Sequence, residues 1–505
     1  MVSTRPADVL AWRPKSRPLL GLTICLALAG CVSTRLENRD WVRIQTAHYD
    51  VWSSLSTEDS MRLARDLEHF RAATEFISGQ AIPATPLPTR VWAFDDRGVG
   101  RPFSYRSQRS YLLTHQPGDV LVLRTGGGWE GDAWDELKLA YARRLLWNAS
   151  PDALPPWLDE GLPQVASTLE GEGEGAVAGA VRADHIRALR DSQWISFDRL
   201  LGAKDLAGWS NLERELFESE SWALCHYLSF GKGRKPGPDG AIARLRARIR
   251  EGESAGEAAR AELGDLGRLQ RDVLRGVRTT TDLDEGVLRI PWAGPHPAPR
   301  AVPRQEVLAE LGGLALAVGK LKRAANFLEP ASKQDPSSPR LLASLGDLRE
   351  GWADRAGADA RYQAALDAAP GNAVLHLRYA DLLRARAETG DPAQRAELAA
   401  RARSHYARSL ELEDGIPESH AGLASTYLLE GEDPEGALAH ARAARSLLPG
   451  DPAIGLLAAR LELAVGDREV ARRDAAREMS RARTASDLEA ARSLLAQIDE
   501  RAELR

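Results

Sequence analysis

Residues 341–370 read LLASLGDLREGWADRAGADARYQAALDAAP and contain two amphipathic segments separated by a short polar loop. Apolar and small residues recur every three or four positions in both segments, which is typical of helices that bury one face. The pattern returns at an interval of 34 residues, in the pairs Leu311-Gly312, Leu345-Gly346 and Tyr379-Ala380 and in the prolines Pro336 and Pro370. The sequence therefore predicts a helical repeat over residues 305–483.

The period of 34, with small residues where two helices cross, resembles the tetratricopeptide repeat (TPR). Five units are predicted, the third with an insertion around 386–397, and residues 484–505 form a final amphipathic helix that caps the array. The resemblance implies an all-α superhelix whose concave groove binds a protein or peptide partner. A generic alanine-rich bundle is the alternative interpretation.

Residues 41–280 have a different composition, rich in tryptophan, and the proline-rich segment 281–304 predicts an extended linker between two domains. Within 41–280, alternating and apolar runs predict strands at 41–53, 90–94, 111–113 and 120–124. Helical patterns predict helices at 58–77, 132–148 and 220–228. This domain is therefore predicted to be α+β.

The segment 155–162, PPWLDEGL, makes residues 41–280 similar to the peptidase MA-like gluzincins, and Ser221-Trp-Ala-Leu matches the same family more weakly. The resemblance implies an α+β metallopeptidase-like domain followed by the TPR superhelix. In that family the segment supplies the third zinc ligand, which here would be Glu160.

The zinc-binding motif His-Glu-x-x-His, which the family also needs, is replaced by Asp135-Glu136-Leu137-Lys138-Leu139. Glu136 matches the general base, but Asp135 and Leu139 stand where the two histidines should be. Aspartate can bind zinc, leucine cannot, and a catalytic zinc normally has three protein ligands. We therefore expect no metal, no other cofactor and no catalysis, with Asp135, Glu136, Leu139 and Glu160 as vestigial positions.

Structural roles are also open for the residues of these motifs. Glu136 could be an ordinary solvated acid, and Glu160 could pair with Arg143 or Arg144. Two further expectations concern the core: Trp157 and Leu158 are more typical of a core than of substrate contacts, and His226 lies on an apolar helix as a core histidine would.

The first thirty residues are predicted to be a signal peptide, because a positive start precedes an apolar run of eleven residues. Its end, Leu28-Ala29-Gly30-Cys31, resembles a bacterial lipobox, which implies cleavage before Cys31, lipidation of its thiol and a tether at 31–40. Val32 in place of aspartate then implies sorting to the outer membrane, facing the periplasm. Cys225 alone would remain, so no intramolecular disulfide is expected.

Charge excludes nucleic acid as a partner, because the chain carries −5 and lacks a basic field. The leading hypothesis is a membrane-anchored, non-catalytic scaffold in the cell envelope that binds a protein partner through its repeats. The alternative is an active hydrolase, either a metallopeptidase or an enzyme using Asp135, Glu136 and Glu160, with substrate recruited by the repeats. A third hypothesis makes the N-terminal domain a spacer.

Overall fold

The computed structural model describes residues 36–95, 103, 105, 108, 110–114, 117–125, 132–149, 154–172, 175–206, 208–279, 286–288, 297–482 and 485–503. The predicted signal peptide and Cys31 lie outside these residues, and so do residues 32–35 of the predicted tether. A short 3-10 helix, Leu36–Asn38, precedes the first strand.

A six-stranded mixed sheet forms the centre of the N-terminal domain. Its strands are β1 (Val42–Gln45), β2 (Tyr49–Ser53), β3 (Thr89–Asp95), β4 (Tyr111–Leu113), β5 (Val120–Thr125) and, from the predicted linker, β9 (Arg300–Ala301). Their order is β4-β5-β3-β2-β1-β9, with β2, β3 and β5 parallel to one another. Helix α1 (Thr57–Ser78) connects β2 to β3, which is the crossover that a parallel pair requires.

The prediction of one strand over residues 41–53 was wrong, because the chain turns back there. Strands β1 and β2 pair antiparallel, with Ile44 opposite Val51. The turn is closed by Thr46, whose N–H donates to the Tyr49 carbonyl at 2.9 Å and whose hydroxyl accepts from the Tyr49 N–H at 3.1 Å. The alternation of apolar and polar residues hides this turn, since it continues from one strand into the next.

One face of the sheet is covered by helices of the same domain. Tyr49, Val51, Val91, Ala93 and Leu121 point to this face and pack against α1 and the helices that follow β5. Those helices are α2 (Asp132–Asn148), α3 (Pro156–Ser167), α4 (Ala183–Arg190), α5 (Phe197–Gly202), α6 (Asn211–Phe230), α7 (Ala241–Arg250), α8 (Ala255–Leu263) and α9 (Leu266–Thr279). A small second sheet joins β6 (Glu170–Glu172), β7 (Gly175–Ala178) and β8 (Gly286–Leu288).

Residues 304–481 form five antiparallel helical hairpins, as the 34-residue period predicted. They are α10 (Arg304–Ala317) with α11 (Leu321–Gln334), α12 (Pro339–Gly351) with α13 (Arg355–Ala368), α14 (Ala373–Thr389) with α15 (Pro392–Leu412), α16 (Pro417–Glu430) with α17 (Pro434–Leu447), and α18 (Pro452–Ala464) with α19 (Arg468–Arg481). The predicted insertion lengthens both helices of the third hairpin.

Close packing explains the small residues at the repeat positions. A Cβ atom on Gly346 would lie 2.7 Å from the ring of Tyr362, and one on Gly312 would lie 2.4 Å from Leu328. Real Cβ atoms do not approach so closely, so the first two hairpins depend on the missing side chains. Helix α20 (Ala485–Glu503) packs its apolar face on α18 and α19 at the end of the array.

The second face of the sheet is covered by the repeats themselves. Trp52, Trp92 and Phe94 join one continuous apolar core with residues of α10, α11 and α12. Phe103 stacks on Phe327 of α11, with ring centroids 6.0 Å apart. Both faces of the sheet are therefore buried, which agrees with its nearly unbroken apolar strands.

The predicted linker takes part in both sheets. Residues 300–301 form β9, which pairs antiparallel with β1, and residues 286–288 form β8, which pairs with β7. The chain between the two halves is thus used for strand pairing and does not hold the halves apart. No helix of the described ranges is both long enough and apolar enough to cross a bilayer.

Candidate functional site

Helices α2 and α3 carry the residues that the sequence singled out. Helix α3 begins at Pro156, where proline is favoured because the first helical N–H needs no partner. Trp157 and Leu158 in its first turn are fully buried, which confirms the expectation that they belong to the core. This buried turn fixes α3 against α2 and sets the direction of Glu160.

The motif residues on α2 do not converge on a common point. Asp135 and Glu136 are exposed, and Leu139 is half-buried. Asp135 forms an ion pair with the buried Lys138, with 2.9 Å between Oδ1 and Nζ. The Lys138 ammonium also donates to the Leu169 carbonyl at 3.4 Å. Asp135 is therefore occupied by a cation on its own helix.

Glu160 has a cationic partner of its own. The Arg143 Nη2 donates to the Glu160 Oε2 at 2.8 Å, and both side chains are more than four fifths buried. The sequence analysis offered an ion pair with Arg143 as a structural role for Glu160, and the structure contains that ion pair. The Arg143 guanidinium supplies the positive charge that balances the Glu160 carboxylate.

The described residues contain no group of three or more His, Cys, Asp or Glu side chains arranged to hold a metal ion. A zinc ion in a catalytic site needs three such ligands and an open position for water. Glu160 and Arg143 form an electrostatic pair between α3 and α2.

A second polar network was not found by sequence reasoning. The ring of His185 contacts Ser219 through Nδ1 at 2.9 Å and Gln164 through Nε2. Gln164 lies one helical turn after Glu160 on α3, and its amide donates to Glu218 at 3.3 Å. The sequence gives no signal for this network, because its members are far apart in the chain and belong to three different helices.

Burial argues against nucleophilic catalysis by this histidine and serine. His185 and Ser219 are 6% and 4% exposed, and Gln164 is fully buried. Burial lowers the pKa of His185 to about 4, so the ring is neutral at pH 7 and a weak general base. A substrate could not reach the Ser219 hydroxyl without local opening. The network therefore holds α3, α4 and α6 together.

His226 also has a structural role, as expected. Its Nε2 lies 2.7 Å from the Gly179 carbonyl, and the ring is fully buried. Cys225 beside it is a buried free thiol, and burial raises its pKa. A thiol in that state is a poor nucleophile.

Glu220 makes stability depend on pH. This side chain is fully buried and accepts a hydrogen bond from the Ile195 N–H at 2.8 Å. Burial raises the pKa of Glu220 to about 8, whereas an unfolded glutamate titrates near pH 4.3. As pH rises between these two values the unfolded chain loses a proton that the folded protein keeps, so the free energy of unfolding falls.

Glutamine resembles the protonated acid, so in Glu220→Gln we expect the free energy of unfolding no longer to decrease as pH rises through this range. At pH 7.5 the variant should be more stable than the parent by about 2 kcal/mol or more, and at pH 4 the difference should nearly vanish. Urea unfolding at both pH values measures this, with the exposed Glu215→Gln of the same helix as control. Equal curves for Glu220→Gln and the parent at pH 7.5 would contradict the assignment.

Polar contacts connect the N-terminal domain to the repeats at the C-terminal end of α2 and at the loop before β5. We call this contact region the interdomain seam. Arg144 is 4% exposed, pairs with Asp119 of its own domain at 3.2 Å, and reaches Asp451 of the fifth hairpin at 3.3 Å. Its Nη1 also donates to the Gly450 carbonyl at 2.9 Å. The two flanking acids raise the pKa of Arg144 against the effect of burial.

Further contacts continue the seam along the array. The Gly450 N–H donates to the Asn148 side-chain oxygen at 3.0 Å, and the Gly118 N–H donates to Glu418 at 2.9 Å. Arg90 lies 3.9 Å from Glu310 of the first hairpin. The N-terminal domain therefore touches the array from its first hairpin to its fifth.

No family description and no curated protein matches the chain. Among solved structures it is similar to a thermophilic TPR protein of Thermus thermophilus, with 21% identity over 38% of this chain and 99% of the other and a TM-score of 0.33. It is also similar to PilW, a type IV pilus biogenesis factor (15% identity, 41% and 94% coverage, TM-score 0.33). A third is YrrB, a TPR protein with an unusual peptide-binding site (19% identity, 37% and 90% coverage, TM-score 0.28).

The repeats themselves define the class of the second half. The hairpins recur at about 34 residues, apart from the insertion in the third, and in the first two a glycine (Gly312, Gly346) faces a large side chain (Leu328, Tyr362). They are TPR-type repeats. Repeats of this kind serve as protein-binding scaffolds.

Proposed function

We propose that the protein is a non-catalytic scaffold of the bacterial cell envelope, anchored by lipid at Cys31 and binding a protein partner through its TPR array. Its N-terminal domain is a peptidase MA-like domain that has lost its zinc site. The ion pair between Arg143 and Glu160 carries this proposal, because it neutralises the carboxylate that would serve as the third zinc ligand.

The arrangement of α2 and α3 supports the peptidase-like origin. The segment with Glu160 folds against the helix that bears Glu136, which is the order of elements that the resemblance implies. A zinc ion placed beside Glu160 would also meet the Arg143 guanidinium, and two cations at one carboxylate repel each other. Without zinc, no water is activated for Glu136 to deprotonate.

The carboxylate-based alternative finds less support. Asp135 pairs with Lys138 and Glu160 pairs with Arg143, so each acid is neutralised by a different cation. General acid–base catalysis by a carboxylate pair needs two acids that face one substrate.

The shared core argues against a simple spacer role for the N-terminal domain. Removing residues 41–280 would expose the apolar side chains of α10, α11 and α12 that now cover the sheet. A partner must therefore bind the part of the array that the N-terminal domain leaves uncovered, with the N-terminal domain fixing the position of the hairpins.

Lipid anchoring explains how such a scaffold would stay in the envelope. Acyl chains on Cys31 contribute about 0.8 kcal/mol per buried methylene, and several chains give stable attachment to a bilayer. We expect Cys31→Ser to move the protein from the membrane fraction to the soluble fraction and to abolish labelling by a palmitate analogue. Retention of both in Cys31→Ser would contradict the anchor.

The absence of catalysis is tested with the purified mature chain and a mixture of unstructured peptides, with and without added zinc. We expect no cleavage in either condition, and no difference between the parent and Glu160→Gln. Zinc-dependent cleavage that is lost in both Glu136→Gln and Glu160→Gln would overturn the proposal.

A further inference from the structure

Trp352 lies at the tip of the second hairpin and belongs to none of the apolar clusters that the described residues form. It is 42% exposed, more than any other tryptophan whose side chain the structure describes. In the first and fifth hairpins the equivalent residue, directly after the first helix, is Val318 or Val465. Both valines pack against an apolar cluster. The repeat therefore has no need of a large, exposed aromatic ring at this position.

The turn that carries Trp352 is fixed by backbone hydrogen bonds. The Ala353 N–H donates to the Glu350 carbonyl at 2.8 Å, and the Asp354 N–H donates to the Arg349 carbonyl at 2.9 Å. Ala353 adopts a φ of 61°, in the left-handed region that is unfavourable for alanine. Strain of this kind is often found at functional sites. A ring presented by so rigid a turn loses little freedom when it binds a partner.

The longer third hairpin forms a wall beside this tip. Helices α14 and α15 have 17 and 21 residues, whereas α12 and α13 have 13 and 14. Arg386 of α14 pairs with Glu350 at the end of α12 and donates to the Arg355 carbonyl at the start of α13. The last turn of α14 and the first turns of α15 therefore continue past the second tip, by about 6–10 Å at the helical rise. Trp352 lies at the foot of this wall.

The tip of the first hairpin extends the surface beside Trp352. A Cβ atom on Gly351 would lie 2.6 Å from the side chain of the half-buried Leu321, so the first and second tips are in contact. Lys320 and Lys322, on either side of Leu321, are exposed and form no ion pair with the described residues. The two tips thus combine apolar surface with free positive charge.

Cations outnumber acids on this surface. Arg355 is exposed and also forms no ion pair with the described residues. The Arg349 guanidinium carbon lies 5.8 Å from the centroid of the Trp352 ring, and Asp354 lies 3.6 Å from Arg349. With the two lysines this makes four cations against one acid, in a chain whose net charge is −5. We call the surface formed by Lys320, Leu321, Lys322, Arg349, Trp352 and Arg355 the tip surface.

We propose that the tip surface binds an acidic segment of a protein partner, with an apolar side chain of the segment against Trp352 and its carboxylates paired with the free cations. This site rests on the scaffold function proposed above and places the partner at the first two hairpins. Tryptophan and arginine are among the residues that dominate the binding energy of protein interfaces. A flat bilayer suits the surface less well, because the longer third hairpin would meet it first and keep Trp352 away.

The experiment is a fluorescence-anisotropy titration of the mature chain carrying Cys31→Ser, so that the result does not depend on lipidation. The probe is a labelled peptide of glutamate residues with one central leucine. We expect saturable binding that weakens as salt is added, and no binding of the same peptide with lysine in place of glutamate. Trp352→Val, which gives the second hairpin the residue of the first and fifth, should weaken binding by at least about fivefold.

A double variant tests the charges of the tip surface. Lys320→Gln combined with Lys322→Gln should also weaken binding by at least about fivefold and reduce its salt dependence. The matched control is Lys204→Gln combined with Lys232→Gln, which removes two exposed lysines of the N-terminal domain. It changes the net charge by the same amount and should leave binding within about twofold of the parent, since distant charges are screened.

Thermal unfolding of each variant checks that the array stays folded. Equal binding by the parent, Trp352→Val and the Lys320/Lys322 variant would overturn this site but not the scaffold function, because a partner would then dock elsewhere on the array. No binding of the acidic peptide by the parent would overturn it as well. Trp352-dependent binding to phosphatidylglycerol vesicles in place of the peptide would overturn it in favour of a lipid surface.

Discussion

Replacing Arg144 by methionine should lower the free energy of unfolding by about 3–5 kcal/mol, because it leaves two buried acids without their cation. Methionine keeps much of the volume of the arginine stem, so the effect reports the lost charge. Asp119 and Asp451 would then face each other across the interdomain seam. The contact with the Gly450 carbonyl would be lost as well.

Urea unfolding followed by tryptophan fluorescence and by helical circular dichroism measures this effect. Because the two halves share one core, both signals should move together to lower urea. Arg143→Met is the matched control, since Arg143 is the neighbouring arginine and pairs with Glu160 of its own domain. Its cost should be clearly smaller, and equal costs for Arg143→Met and Arg144→Met would contradict the role given to the seam.

Gly161→Ala should cost about 3 kcal/mol, at the upper end of the usual penalty for overpacking a core. A Cβ atom on Gly161 would lie 2.2 Å from the Ser221 carbonyl oxygen and 2.7 Å from the Cys225 sulfur. The first of these atoms is backbone of α6, so α3 and α6 would have to move apart. That movement would disturb the network of Gln164, His185 and Ser219 between them.

Gly313→Ala is the control for this substitution. Gly313 also lies inside a helix, but an added Cβ meets nothing within 4 Å. Alanine favours helix over glycine by up to about 1 kcal/mol, so this variant should be slightly stabilised. Thermal unfolding of both variants decides the matter, and a Gly161→Ala protein as stable as the parent would show that the two helices are not in close contact.

The repeats could be predicted from the sequence because their physical cause is local and periodic. The first two units need a small residue where their own two helices cross, so Gly312 and Gly346 recur at the repeat length. The ends of the helices could be read in the same way from proline and glycine. The insertion in the third unit was located, and the structure shows that it lengthens α14 and α15.

The union of the two halves could not be predicted, because it depends on contacts between distant residues. Trp52 and Trp92 lie in segments that the sequence predicts as strands, but nothing in their sequence neighbourhood indicates that α10 and α11 would cover them. The proline-rich composition of 281–304 favoured an extended segment, but composition does not reveal that such a segment pairs with β1.

Some features of the candidate site could also be predicted from the sequence, and others could not. The sequence alone places Asp135 and Leu139 where the resemblance would require two histidines, and it narrowed the partner of Glu160 to two arginines. The buried network around His185 could not be found, since it joins residues of three different helices.

The central claim, a peptidase-like domain without a zinc site, is tested most directly by elemental mass spectrometry of the mature chain purified without chelator. We predict far less than one zinc per chain, and the same content when Glu160 is changed to glutamine. Zinc near one per chain that is lost on Glu160→Gln would contradict the account.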